Sequence, residues 1–251
     1  MILFDKPLPA TSSHPNDLFL HHLSADSLIH RLSLIKRKFQ QALVVGRGAH
    51  PLVMYLEEQG CSVITNKHYA SGHPVIFYEE FFPFKEGTFD LICCNLNLHW
   101  INDLPGVLNQ MRFLLRPDSL FLGSFLGQET LKELRESFLY TEIKRNMGVR
   151  LHIAPMIHLS TAAALLQRAQ FVFPVADYER QMVSYLSPWH LMKDLKRMGE
   201  TNRSIYRAKT FYPPQAMQEM ANYYTKKFSQ DNRIQATYDL CYVLGWTPEK
   251  Q

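Results

Sequence analysis

The residue types most able to do chemistry gather at two places in this chain. Gly46-Arg47-Gly48 follows directly on the apolar run Ala42-Leu43-Val44-Val45. Two glycines at that spacing let a backbone approach a charged ligand closely, and the helix that follows offers the free N–H groups of its first turn to an anion. Such a pair serves equally as a tight structural turn. At the second place Asn95, Asn97, His99 and Trp100 follow the apolar run Phe89–Cys94. They bring amide donors and acceptors, an imidazole, and an indole whose π face attracts cations. His99 also reads as a satisfied core or surface histidine and Trp100 as a packing anchor. Asn102 or Asp103 caps the helix that begins near Pro105.

Other chemistries find no support. The remaining histidines, among them His21, His22, His68, His73, His152, His158 and His190, form neither HExxH nor His-x-His beside a carboxylate, so no protein-bound metal is expected. Gly123-Ser124-Phe125-Leu126-Gly127 places its serine second rather than centrally, unlike a nucleophile elbow. Cys61, Cys93, Cys94 and Cys241 lack CxxC spacing, and the adjacent pair sits in an apolar run as small buried hydrophobes.

The elements that must position these residues read as a βα series. An amphipathic helix over about 24–38 precedes the first strand, with Ser24 as its cap and Leu28, Leu32 and Ile35 at helical spacing. After the glycine turn comes a helix through Pro51, Leu52, Tyr55 and Leu56, closed by Gly60. Strands follow at Cys61–Ile64, around Val75–Phe77, and at Phe89–Cys94, whose unbroken apolar run marks a central strand covered on both faces. A helix from about Leu104 to Leu115 ends at Arg116-Pro117-Asp118 and leads into a fifth parallel strand, Leu120–Phe125. Helices over 129–145 and 160–169 precede a final pair of strands at Phe171–Phe173 and Met182–Leu186. Late helices at 189–198 and 213–228 form a cap over the C-terminal edge of the sheet. We therefore expect one domain over 1–251: an N-terminal helical segment (1–40), a core (41–187), and a helical cap with a C-terminal tail (188–251).

Composition is consistent with that plan. The 251 residues are 46% hydrophobic and 12% aromatic, enough apolar surface for a full core. The 27 basic and 23 acidic residues are interspersed to a net +4, which implies no field for nucleic acid. Lys36-Arg37-Lys38 reads as the solvated end of a helix. Met1–His14 has neither an apolar stretch of signal-peptide length nor the composition of a presequence, and no segment approaches the roughly 20 apolar residues that span a bilayer, so a soluble protein is expected.

Taken in order, Gly46-x-Gly48, Glu79-Glu80-Phe81-Phe82-Pro83-Phe84, Thr88–Ile92 and Leu114–Asp118 resemble the motif set of class I S-adenosylmethionine-dependent methyltransferases. The match covers about 40–126 and implies a Rossmann-like α/β fold, a mostly parallel seven-stranded sheet flanked by helices. Asn95–Leu104, Leu191–Leu195, Met198–Asn202, Ala236–Tyr238 and Gly245–Pro248 carry the likeness further. They resemble the family of respiratory complex I assembly factor 5 proteins and their bacterial relatives, which is related to the malonyl-carrier-protein methyltransferase of biotin synthesis.

The resemblance implies S-adenosylmethionine as cofactor, held by Gly46, Arg47, Gly48, His50, Asn66, Tyr78, Glu79, Glu80 and Asn95. Asn95, His99 and Trp100 would face the methyl group, with the indole offered to the sulfonium. Four positions depart from the pattern: Val44 replaces an acid, His50 a third glycine, Asn66 the acid that holds the ribose hydroxyls, and Tyr78 the acid that reads adenine. Each lost carboxylate removes charge-assisted hydrogen bonds worth about 1.5–3 kcal/mol apiece. Asn66 still accepts and donates, Glu79 or Glu80 stands beside the adenine position, and His50 either pairs with the cofactor carboxylate or caps its helix. Two functions follow from the likeness. One is a methyltransferase acting on a carboxylate or a side chain of a small-molecule or protein acceptor. The other is a degenerate scaffold or assembly factor for a respiratory-complex subunit, or an arginine hydroxylase of that family. A bacterial cytoplasm or a mitochondrial matrix is the implied compartment.

Overall fold

The computed structural model describes residues 3–5, 18–66, 73–75, 77 and 80–249. Its elements run α1 (Phe19–Ser33), β1 (Gln41–Val45), α2 (His50–Glu58), β2 (Ser62–Asn66), β3 (His73–Val75), β4 (Phe89–Cys94), a 3₁₀ turn (Leu98–Trp100), α3 (Leu104–Leu114) and β5 (Leu115–Leu126). There follow α4 (Lys132–Lys144), α5 (Leu159–Arg168), β6 (Val172–Tyr185), α6 (Pro188–Met198), α7 (Pro214–Phe228), the two-residue β7 (Ser229–Gln230) and β8 (Arg233–Trp246).

The strands lie in the order β3-β2-β1-β4-β5-β8-β6, with β7 paired to β8. β1 through β5 pair in parallel, and β8 runs antiparallel between β5 and β6. Strand order therefore reverses between β1 and β4, the place where an open parallel sheet holds its ligand. Alternate side chains of the strands feed two cores. Val44, Leu91, Cys93 and Leu122 pack under α1, α2, α4, α6 and α7, while Leu43, Val45, Ile92 and Cys94 pack under α3 and α5. Burying each large aliphatic side chain stabilises by about 1.5–3 kcal/mol, so both faces of the central strands bind them into the sheet.

Most of the expected elements are present, with two corrections of consequence. The expected final pair of strands, Phe171–Phe173 and Met182–Leu186, is one continuous strand, β6. Its partner is β8, drawn from the segment expected to be cap and tail. β8 is buried almost throughout, yet it interleaves Thr237 and Asp239 with its apolar residues, and so does not read as an apolar run. Those polar side chains are satisfied by partners far away in sequence: Thr237 by Glu133, and Asp239 by Arg180 at 2.7 Å. The first helix is also shifted. Ser24, expected as its cap, lies buried inside α1, where its Oγ bonds Ser124 Oγ at 2.8 Å.

The cap helix α6 forms as its pattern predicts. Ser187 Oγ caps its start, Leu191, Leu195 and Met198 are its buried stripe, and Gly199 closes it in the left-handed conformation (φ +77°). Asp103 caps α3, accepting from the Gly106 N–H at 3.0 Å.

Candidate functional site

The glycine turn is built against the end of β4. Gly46 adopts φ +114°, and a side chain there would collide with the backbone carbonyl of Asn95. Asn95 in turn donates its N–H to Val45 O at 2.7 Å, locking the ends of β1 and β4 together. Its side-chain Nδ2 donates to Arg47 O at 2.8 Å and to His21 O at 3.0 Å, which ties α1 to the turn as well. Gly48 (φ +59°) is needed for the same reason: a Cβ there would lie 2.6 Å from the Cβ of His21. The turn is thus shaped by close approach, and α1 covers one of its sides.

Two amide oxygens at this crest are left over. Asn66, at the end of β2, is 2% exposed and donates Nδ2 to Phe77 O at 2.8 Å. That bond fixes the orientation of the amide. Its Oδ1, like Asn95 Oδ1, is buried with no partner among the described residues. Asn97 Nδ2 is a third such atom. Leu96 between them holds φ +43°, rare for a non-glycine residue, with its N–H donated to Ser124 Oγ at 2.9 Å. Strain of this kind gathers at sites where the backbone must present atoms in a set direction.

Several other expected site residues have different company. Arg47 reaches the C-terminal end of α6, with Nη1 3.4 Å from Met198 O. His50 opens α2 on an exposed position. Glu80 Oε1 accepts from the Asn102 N–H at 2.8 Å and from Asn102 Nδ2 at 3.1 Å, and so braces the loop before α3. Tyr78 and Glu79 lie outside the described residues.

His99 and Trp100 converge on a residue that the sequence reading left without a role of its own, Glu200, just beyond α6. Glu200 Oε2 meets His99 Nε2 at 3.1 Å and accepts from Trp100 Nε1 at 2.9 Å, while Oε1 meets His21 Nε2 at 3.1 Å. Burial alone raises this carboxyl, but the electrostatic attraction and ring N–H groups of His99 and His21 outweigh it and hold Glu200 well below the usual carboxylate range. The second nitrogen of His99, Nδ1, accepts from the Leu126 N–H at 3.4 Å. The indole of Trp100 is occupied too, with the Arg203 guanidinium 4.1 Å from its centroid and Phe4 edge-on at 5.4 Å. These contacts join α1, the end of β4 and the cap around one buried anion. Their members stand at positions 21, 99, 100 and 200, a separation that no local motif reveals.

Beside this hub opens a cavity of about 220 Å³, walled by Leu126, Leu131, Phe138, Met192 and Leu195, with Trp100, Glu200 and His152 also lining it. It lies at the C-terminal end of β5, on the side of the crest away from β2.

Comparison with known proteins agrees with this architecture. Residues 19–173 match the family model described as a methyltransferase domain. The arginine-hydroxylase NDUFAF5, mitochondrial, of Homo sapiens is 34% identical over 84% of this chain and 65% of its own length; its counterpart in Danio rerio is 34% identical over 85% and 70%. A malonyl-(acyl-carrier protein) O-methyltransferase of Laribacter hongkongensis is 32% identical over 66% of this chain and 54% of its own length. The chain therefore spans only about two thirds or less of the human and bacterial relatives. Among solved structures, the YcgJ protein of Bacillus subtilis superposes with a TM-score of 0.59 at 16% identity, covering 92% of this chain and all of that one. Phosphoethanolamine N-methyltransferase 2 of Haemonchus contortus gives 0.54 at 13% identity, over 99% of this chain and 61% of that one. Topology, family model and relatives agree that the chain belongs to the methyltransferase domain family, in the branch that includes the arginine-hydroxylase NDUFAF5 proteins.

Proposed function

We propose that the chain is an S-adenosylmethionine-dependent methyltransferase that holds its cofactor across the crest between β2, β1 and β4. The observation that carries this reading is the pair of buried oxygens, Asn66 Oδ1 and Asn95 Oδ1, that have no partner among the described residues, on either side of the glycine turn. A buried polar atom without a partner costs about 1–3 kcal/mol, and a ligand with hydroxyl and ammonium donors relieves both. The residues fit the group in this respect. Asn66 stands where a carboxylate is usual, but because Nδ2 is committed to Phe77 O, its oxygen is fixed as the acceptor for ribose hydroxyls. Asn95 Oδ1 accepts from the amino group, and the amides of Gly46 to Gly48, with Arg47 and His50 nearby, face the carboxylate. Tyr78, Glu79 and Glu80 keep the adenine role that the sequence resemblance gives them, with Glu80 shared with Asn102.

When bound, the cofactor supplies a methyl group on a cationic sulfonium that already carries its leaving group. The chain aligns the acceptor and excludes water. His99 and Trp100 serve this by holding the crest shut around Glu200, with the methyl side open toward the cavity beyond them. The acceptor is a carboxylate or a side chain, on a small molecule or a protein.

A second reading rests on the same hub. Because α1 and the cap are joined over the glycine turn by Glu200, the fold also suits a scaffold that has kept a partner surface and lost turnover. In that case the partner is a subunit of a respiratory complex, in a mitochondrial matrix or a bacterial cytoplasm; the arginine-hydroxylase name of the human relative favours instead the variant in which the chain still acts as an enzyme on such a partner.

Titration calorimetry with S-adenosylmethionine separates the two. The first reading expects saturable binding that weakens about five- to tenfold in Asn66→Ala, the worth of one neutral hydrogen bond. No heat at millimolar cofactor leaves only the scaffold.

A further inference from the structure

We propose that Glu142 and His152 form a general-base dyad on the wall of the 220 Å³ cavity, and that the cavity takes an acceptor bearing a proton on oxygen or nitrogen rather than a carboxylate. This rests on the reading that the cofactor lies at the adjacent crest.

Glu142, on α4, is 1% exposed at its side chain, yet both of its oxygens are engaged. Oε1 is 2.7 Å from His152 Nε2, and Oε2 accepts from the Arg150 N–H at 3.0 Å. An ionised carboxylate can only accept, so the imidazole proton resides on Nε2 and the lone pair on Nδ1. Nδ1 has no partner among the described residues, and the side chain is 16% exposed. The ring plane is fixed as well. It stacks on Phe138 at 3.9 Å and 9°, and Tyr212 meets it edge-on at 5.1 Å. A buried acid, an oriented imidazole and one open nitrogen beside an apolar cavity are the parts of a positioned base.

The lining decides what the base acts on. Among the described residues no lysine or arginine lines the cavity, whereas Glu200 and His152 do. A carboxylate entering such a space would be desolvated beside Glu200, with the nearest arginines, Arg150 and Arg203, outside the lining, which is unfavourable. A phenol, an alcohol or an unprotonated amine carries no such penalty, but it must lose a proton as it is methylated. In the step, His152 Nδ1 takes that proton while the heteroatom's lone pair forms the bond to the methyl carbon; the methyl–sulfur bond breaks with its electron pair kept by sulfur, leaving a neutral thioether. The imidazolium so formed is paired with Glu142. His152 is the catalytic residue and Glu142 the positioning residue.

The charged and titratable groups that face His152 are Glu142 from α4, Arg150 from its own loop, Tyr212 from the loop before α7, and Glu200 across the cavity.

The test is nitrogen-detected NMR on the intact chain with labelled histidine, using 4-ethylphenol, aniline and butyrate as probes. At neutral to mildly alkaline pH, His152 is expected as the Nε2–H form, with that preference lost in Glu142→Gln. Addition of 4-ethylphenol is expected to shift the Nδ1 resonance, and butyrate to bind at least ~10-fold more weakly than either other probe. A proton on Nδ1 in the wild type, an unchanged tautomer in Glu142→Gln, or tighter binding of butyrate overturns the proposal. Calorimetry with S-adenosylmethionine keeps the two readings apart. A chain that fails to bind the cofactor overturns the proposed function, while one that binds it but shows any of those three results overturns only this inference.

Discussion

Two clusters in this molecule use the same materials, a buried glutamate and histidine, and end differently. Around Glu200 the carboxylate receives His21, His99 and Trp100, and His99 spends its other nitrogen on the Leu126 N–H. Around Glu142 the carboxylate receives one imidazole and one backbone N–H, and His152, whose Nδ1 has no partner among the described residues, lines a cavity. A buried anion that receives three ring N–H groups from two other segments holds structure, because removing the anion leaves all three unsatisfied. A dyad with one nitrogen to spare can exchange a proton. Residue type alone does not distinguish the two, and neither does a spare nitrogen, since His21 Nδ1 is also unpartnered among the described residues; exposure does, His21 being sealed in while His152 is part-exposed on a cavity wall.

The largest effect that would sharpen this contrast is on stability at Glu200. Glu200→Ala strips three ring N–H groups of their acceptor, and breaking a buried charged cluster in this way costs about 3–5 kcal/mol. Thermal unfolding followed by circular dichroism should show a fall on the order of 10 °C. The pH dependence has a definite sign. A carboxyl held below its ordinary value of 4.5 contributes stability that is complete above that value and is lost as pH falls through the lower, folded value. Wild-type chain should therefore lose stability steeply on acidification below about pH 4.5, and Glu200→Gln should show a shallower slope. An equal slope in both would place the hub's contribution elsewhere.

Next in size is the effect on turnover at the other cluster. With S-adenosylmethionine and 4-ethylphenol, His152→Gln should lower the transfer rate about 100-fold, the usual range for losing a general base, with cofactor affinity unchanged. If cofactor affinity falls in step with the rate, His152 acts on the crest and the two clusters are not separate.

The contrast also shows how far the sequence could be read. The glycine turn, the central strand Phe89–Cys94 and the cap stripe Leu191, Leu195 and Met198 were legible because each is a local pattern, either a turn after an apolar run or a helical period. Asn66 was singled out for the proposed ribose role only through the motif order, since nothing local marks an asparagine at the end of a strand. β8 was not legible, because its buried Thr237 and Asp239 owe their burial to Glu133, Thr130 and Arg180, which lie 55 or more residues away. His99 and Trp100 were singled out to face the methyl group; the group that engages them in the structure, Glu200, is a hundred positions further along and carries no local signal. Likewise His152 showed as one histidine among several until α4 brought Glu142 against it.

The smallest expected effect tests whether the clusters are mechanically independent. Gly199 closes α6 at φ +77°, immediately before Glu200, and a Cβ there would run into the Arg47 guanidinium. That group is the far end of a flexible side chain and can swing aside, so Gly199→Ala should cost mainly the left-handed backbone strain, about 1 kcal/mol. A fall of roughly 2–4 °C in the unfolding temperature is expected. Because Arg47 would leave the end of α6, a modest weakening of cofactor binding should accompany it. The tautomer of His152 should not respond, since its orientation depends on α4 and on the Arg150 backbone and not on the end of α6. A shift of the His152 nitrogen resonances in Gly199→Ala would show that cap and dyad move together, and the cavity would then have to be treated as part of the hub.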